Sequence, residues 1–125
     1  LNQLIIKKAS KNKETLQVLA ELSQLASYMA VLLKKQELDK FASNLNEEWK
    51  LRKKLHVKVS SKEIEKVISK GLRYAQAAKL CGSAGGGSIL FYSEPEKKQR
   101  LRQVFSKLKL KEIKFKFNFT GLRIY

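Results

Sequence analysis

Apolar side chains recur along the first part of the chain at steps of three and four: Leu16, Leu19, Leu22, Ala26, Met29, Ala30 and Leu33. That spacing lays one apolar stripe along a helix, and Ser10 or Asn12 can cap its start. After a break near Gln36 and Glu37, the residues Leu38, Phe41, Ala42, Leu45, Trp49 and Arg52 share one face of a second helix. That face runs from apolar through aromatic to basic. Ser60 and Glu63 make a capping box for a third helix. Ile64, Val67, Ile68 and Leu72 form its stripe, and the ladder ends near Gly71.

Beyond Gly71 the period changes. Lys79, Leu80 and Cys81 form a short apolar step, residues 82–88 a glycine loop, and residues 89–92 a buried strand. Ser93 and Glu96 read as another capping box, with Pro95 two residues after the cap. It opens a helix with the stripe Leu101, Val104, Phe105 and Leu108. Ile113, Phe115, Phe117 and Phe119 then alternate with Glu112, Lys114, Lys116 and Asn118, the period of a strand. Thr120 and Gly121 turn that strand into a hairpin partner at residues 122–125. The order predicts an α+β two-layer sandwich, helices on one face of a mainly antiparallel sheet, with residues 1–125 as a single domain. The phenylalanines are expected to face the helices, and the lysines between them water or a missing partner domain.

Composition changes this picture in two ways. The net charge of +16 is a field that attracts phosphates without reading sequence. The cations lie along the whole chain, however, so solvated helix faces account for most of them. No stretch approaches the roughly 20 consecutive apolar residues of a membrane span, and the start is too soon charged for a secretory signal. The chain begins at Leu1 rather than Met, which suggests trimming from something longer. One cysteine, Cys81, and one histidine, His56, exclude an internal disulfide and leave a zinc site without ligands. A reducing, cytoplasmic setting is the default. Cys81 reads as a small buried residue, and His56 as the end of a helix, where a partial positive charge suits the dipole.

The glycine loop is the centre of the chemistry. Glycine allows φ > 0, and successive backbone N–H groups in such a turn form a concave anion site. The Lys-Ser/Thr ending of a Walker loop is absent. Residues 79–92, Lys-Leu-Cys-Gly-Ser-Ala-Gly-Gly-Gly-Ser-Ile-Leu-Phe-Tyr, resemble the third signature motif of the GHMP kinases. Residues 46–55, with Trp49, are similar to the Trp-containing helix of the heptose-phosphate kinase branch, as are the helix start within 57–65 and the closing hairpin at 115–124. The likeness covers about residues 10–125 in one register. Ala84 stands where that family usually has Gly, Ser83 where it has Ala, and Ser88 where a larger apolar residue is common.

The resemblance implies a ferredoxin-like C-terminal domain of an ATP-dependent sugar or sugar-phosphate kinase, with heptose phosphate the preferred substrate and Mg2+ the companion ion. It implies that Gly82, Ser83, Ala84, Gly85, Gly86 and Gly87 support the nucleotide phosphate loop of an N-terminal partner domain. Trp49, Arg52 and Lys53 are then expected toward the sugar-phosphate side, with Lys79 opening the loop. Trp49 reads equally as core or as a site wall. Neither the main phosphate loop nor the catalytic acidic residue is expected in this stretch, so alone it is expected to be inactive and to bind no cofactor. Two other readings stand beside this one: a basic nucleic-acid-binding module, and an inactive kinase remnant. Against the first, aromatics turned into the core leave no stacking platform.

Overall fold

The computed structural model of the chain describes residues 1–82 and 87–116. Its elements are α1 (Asn2–Ala9), α2 (Lys13–Lys34), α3 (Leu38–Lys53), a 3-10 turn (Val57–Val59), α4 (Lys62–Gly71), β1 (Ala77–Cys81), β2 (Ser88–Tyr92) and α5 (Pro95–Lys107). The two strands pair antiparallel, from Ala77 opposite Tyr92 to Cys81 opposite Ser88. Helices packed on an antiparallel sheet make the fold α+β, as the order of elements predicts.

Asn12 caps α2: its Oδ1 accepts from the N–H of Glu14 at 2.9 Å and of Thr15 at 3.3 Å. The buried face of that helix overlaps the expected stripe at Leu22 and Met29 but is turned from it. Thr15, Leu22, Met29 and Leu32 are buried, with Val18 and Leu25 half-buried between them, whereas Leu16, Ala26 and Ala30 are exposed. The helix is apolar around most of its circumference, so the choice of face falls to its partner, α3. By length and composition α2 could also cross a membrane, a test that the core helix of a soluble protein also meets. Leu22, Met29 and Leu32 lie in the interior, and 17% of the apolar window of α2 is buried. Gln36 takes a left-handed φ of 59° between α2 and α3, where the sequence places the break.

The sheet lies between two apolar clusters, because successive strand residues point to opposite faces. Ala78 and Leu80 join Leu22, Trp49, Leu51, Leu55, Val59, Ile64 and Ile68, with Ile89 and Phe91 packed alongside. Ala77 joins Met29, Ala42 and Leu45, with Leu90 and Tyr92. Gly71, at the end of α4, is required by close approach. A Cβ there would run into the Phe91 ring and lie 2.9 Å from the Phe105 ring.

Several local expectations are corrected. Ser61, not Ser60, caps α4, its Oγ accepting from the N–H of Ile64 at 3.2 Å. Ser60 instead bonds Glu65, at 2.9 Å, so Glu63 closes no capping box. Glu94 rather than Ser93 precedes α5, without a side-chain cap, and Pro95 takes the first turn, where its missing N–H is harmless. Leu72 and Leu108 are exposed. An unpredicted helix, α1, is held by Ile5 against the core and by Lys8, whose ammonium donates to the Leu55 carbonyl at 3.2 Å.

The phenylalanine strand is the largest departure. Residues 111–116 have no strand structure, and Ile113 and Phe115 are exposed rather than turned toward the helices. Alternation marks a chain able to be a strand but supplies no neighbour, and among the described residues only β1 and β2 pair. Phe117, Phe119 and the expected hairpin partner lie outside the described residues, as do Ser83, Ala84, Gly85 and Gly86 of the glycine loop.

Candidate functional site

The register of β1 and β2 makes residues 82–87 the loop of a hairpin. Gly82 leaves β1 with φ at +89°, a conformation that L side chains rarely adopt. A Cβ on Gly82 would also stand 3.3 Å from the Cα of Gly87. The neck of the hairpin is therefore both left-handed and narrow, and glycine answers both demands.

Below that neck lies a buried ion cluster. Glu48, on α3, is only 6% exposed. Its Oε1 accepts from Arg52 Nε at 2.7 Å and lies 2.6 Å from Arg52 Nη2. Its Oε2 lies 2.7 Å from the ammonium of Lys79 on β1. The Lys79 contact is an ion pair lying off the hydrogen-bond direction, since Oε2 finds no directed donor. Lys79 is thus held against α3, 16% of its side chain exposed, while 42% of the Arg52 side chain remains open.

Asn46 aligns the two elements that carry this cluster. Its amide donates to the Gln76 carbonyl at 2.9 Å and accepts from the Ala78 N–H at 3.1 Å. Contacts advance in step, from Asn46 at Gln76 and Ala78 to Glu48 at Lys79, so α3 and β1 run the same way. The next turn of α3, about 6 Å further on, carries Arg52 toward the Cys81 end of the strand.

The other expected site residues lie apart from this cluster. Trp49 is 5% exposed and packs in the core, its Nε1 without a hydrogen-bond partner among the described residues. Lys53 sits 5.6 Å from the Trp49 ring centroid and 3.2 Å from Glu65. The four residues expected on the substrate side therefore fall into two pairs: Arg52 with Lys79 through Glu48, and Trp49 with Lys53 beside α4. Glu48 and Asn46 were missed. The signal for Glu48 was present: a carboxylate beside Trp49 on the buried face, with Arg52 four residues on.

Cys81 is exposed, not buried, because it points out of the last pair of the ladder. His56 ends no helix. It precedes the 3-10 turn and caps it, its Nδ1 accepting from the Lys58 N–H at 3.1 Å. A cleft of about 620 Å³ opens between Val57, Ser60, Ser61, Lys62 and Lys66 and includes no hairpin residue. Among the described residues no three His, Cys, Asp or Glu side chains are placed to hold a metal ion. A magnesium ion accompanying a nucleotide finds no carboxylate cage among them.

Residues 29–111 match the family of GHMP kinases, C-terminal domain. The chain belongs to that family, and the hairpin and its α+β frame are the family's. Among solved structures it is similar to the L. major mevalonate kinase in complex with R-mevalonate, at 18% identity and a TM-score of 0.71, covering 85% of this chain and 32% of that one. It is similar also to the Methanococcus jannaschii mevalonate kinase, at 23% identity and a TM-score of 0.62, covering 82% of this chain and 31% of that one. At such identities the likeness is one of fold. The chain spans about a third of the length of these structures. No curated protein matches it.

Proposed function

We propose that residues 1–125 form, as one domain, the C-terminal part of an ATP-dependent GHMP-type kinase that transfers the γ-phosphoryl group to a hydroxyl of a sugar or sugar phosphate, heptose phosphate by preference. The observation that carries this reading is the narrow hairpin neck at Gly82 and Gly87, at the end of the strand whose Lys79 pairs with Glu48. Phosphoryl transfer rests on positioning and charge stabilisation. A glycine hairpin and an anchored guanidinium are parts suited to it. The N-terminal domain then supplies the main phosphate loop, ATP and Mg2+ meet there, and Gly82 to Gly87 brace it from below.

The heptose preference rests on the resemblance of residues 46–55 and 115–124 to that branch. Arg52, in the first of these stretches, is the most open of the expected substrate-side cations with a fixed geometry. The similar L. major structure holds R-mevalonate, which carries a carboxylate, and an arginine serves either anion, so the acceptor is decided by assay. Joined to an N-terminal GHMP domain, the chain is expected to turn over ATP only when a sugar phosphate is added. Turnover with mevalonate but no sugar phosphate would overturn the sugar assignment. No turnover with any acceptor would overturn the kinase reading in favour of a remnant. The 125-residue chain alone is expected to be inactive.

A further inference from the structure

We infer that Glu48 is a positioning residue: with Lys79 it forms a largely buried neutral pair whose purpose is to aim the Arg52 guanidinium as a preorganised contact for a phosphate group. The choice of phosphate as the anion rests on the kinase reading. The arrangement of charges does not.

The argument starts from the count of charges. Three ionised groups meet, one anionic and two cationic. Lys79 and Glu48 are both largely withdrawn from water, at 16% and 8% side-chain exposure, and their charges offset each other there. The remaining positive charge belongs to Arg52, the only member with substantial access to solvent. Glu48 holds that guanidinium through one oxygen, Oε1, which accepts from Nε at 2.7 Å and lies 2.6 Å from Nη2. Guanidinium is planar with its five N–H groups in a fixed fork, so gripping one edge orients the other. The remaining N–H groups have no partner among the described residues, and 42% of the side chain is open to water. An unaided surface arginine would search many rotamers before meeting an anion, whereas this one is held in place beforehand. Lys79 has the opposite role from a ligand. Its ammonium lies 2.7 Å from Oε2 and holds the Glu48 carboxylate in place.

Attraction and positioning predict opposite signs for one substitution, which makes the inference testable on the chain as it stands. Replacing Glu48→Gln adds one to the net charge, so a simple electrostatic field predicts tighter binding of inorganic phosphate. Loss of positioning predicts weaker binding at Arg52, by about fivefold, the worth of one oriented hydrogen bond. The measurement is a phosphate titration of the full chain, followed through the arginine Nε–H signals in 15N spectra. In the unaltered protein the Arg52 signal is expected to be protected by its carboxylate partner and to move as phosphate is added. Because Glu48→Gln alone leaves Lys79 buried without a counter-ion, the double variant Glu48→Gln, Lys79→Met serves as the second test. It retains the original net charge, carries no unpaired buried ion, and is expected to show the same loss. Arg52→Lys, which retains charge but not the fork, is expected to lose as much. Phosphate binding at Arg52 that is unchanged or tighter in the Glu48 variants overturns the inference, and so does an Arg52 signal indifferent to phosphate in the unaltered chain. No nucleotide and no turnover enter this measurement. Glu48-dependent phosphate binding in a chain that gives no turnover with any acceptor once joined to an N-terminal GHMP domain would therefore sink the kinase reading alone and leave this one standing.

Discussion

A carboxylate withdrawn from water is tolerated only when its charge is met, and Glu48 meets two cations at 2.6 and 2.7 Å. Breaking such a pair from one side leaves an uncompensated ion and costs about 3–5 kcal/mol, whereas removing both sides together can be nearly neutral. An exposed counterpart behaves differently. Arg102 forks the Glu112 carboxylate at 3.0 to 3.2 Å on the surface. The hydrogen bond from Arg102, followed by the attraction of its charge and those of Lys114 and Lys98, holds the Glu112 carboxyl below the usual glutamate range. A depressed folded value means that this contact stabilises the fold above the ordinary glutamate range. Its contribution is lost as the pH falls through the depressed value. Carboxyl NMR titration is expected to show Glu112 protonating at lower pH than an ordinary glutamate, and Arg102→Gln is expected to return it to that range. An unmoved titration in the variant would show that Arg102 is not the cause. The residues at i and i+4 that make the Glu48–Arg52 contact are legible in one dimension. Lys79, thirty-one positions from Glu48, is not, because only folding brings β1 onto α3.

Elements are where pattern and structure agree in kind and part in detail. Four helices and two strands match stretches that periodicity marks out, since amphipathic period and turn chemistry are local. The faces are another matter. On α2 the buried set is Thr15, Leu22, Met29 and Leu32, displaced from the leucine-alanine stripe by the demands of packing on α3. Caps shift by one residue at α4 and α5, because two adjacent candidates, Ser60 and Ser61 or Ser93 and Glu94, differ only in which one the preceding chain brings into line. Gly71 shows an element-level constraint that no propensity signals. It is helical, and its missing Cβ makes room for the Phe91 and Phe105 rings, themselves stacked 4.8 Å apart. Gly71→Ala gains helix propensity of about 1 kcal/mol yet overpacks the α4–β2–α5 junction. The net expectation is a loss of roughly 1–3 kcal/mol, read as a lower urea midpoint. A variant as stable as the parent would mean that the rings move aside at little cost.

At the scale of the whole molecule the charge of +16 is the dominant property, and the basic segment after α5 changes its reading. Aromatics turned inward were the argument against nucleic-acid binding, and Phe115 is 62% exposed. Exposure alone does not make a stacking platform, and cations spread over α1, α3, α4 and α5 favour association through charge. A single-stranded RNA oligonucleotide is expected to bind weakly and without sequence preference, the affinity falling steeply between about 50 and 200 mM salt. Phe115→Ala is expected to leave that affinity unchanged. A loss on that substitution that persists at the higher salt would favour a dedicated RNA-binding role.

The sequence by itself determined the class of the fold, the glycine hairpin and membership of its family, because each is written in neighbouring residues: helical period, a run of glycines, a strand on either side. It also placed Arg52 and Lys79 among the residues of interest. Only the tertiary structure decided that these two share a buried carboxylate, that Trp49 belongs to the core with Lys53 over its ring, and that residues 111–116 form no strand. The physical reason is the same in each case. Burial, ion pairing and strand pairing are relations between distant parts of a chain, and a residue's own type states only what it can accept.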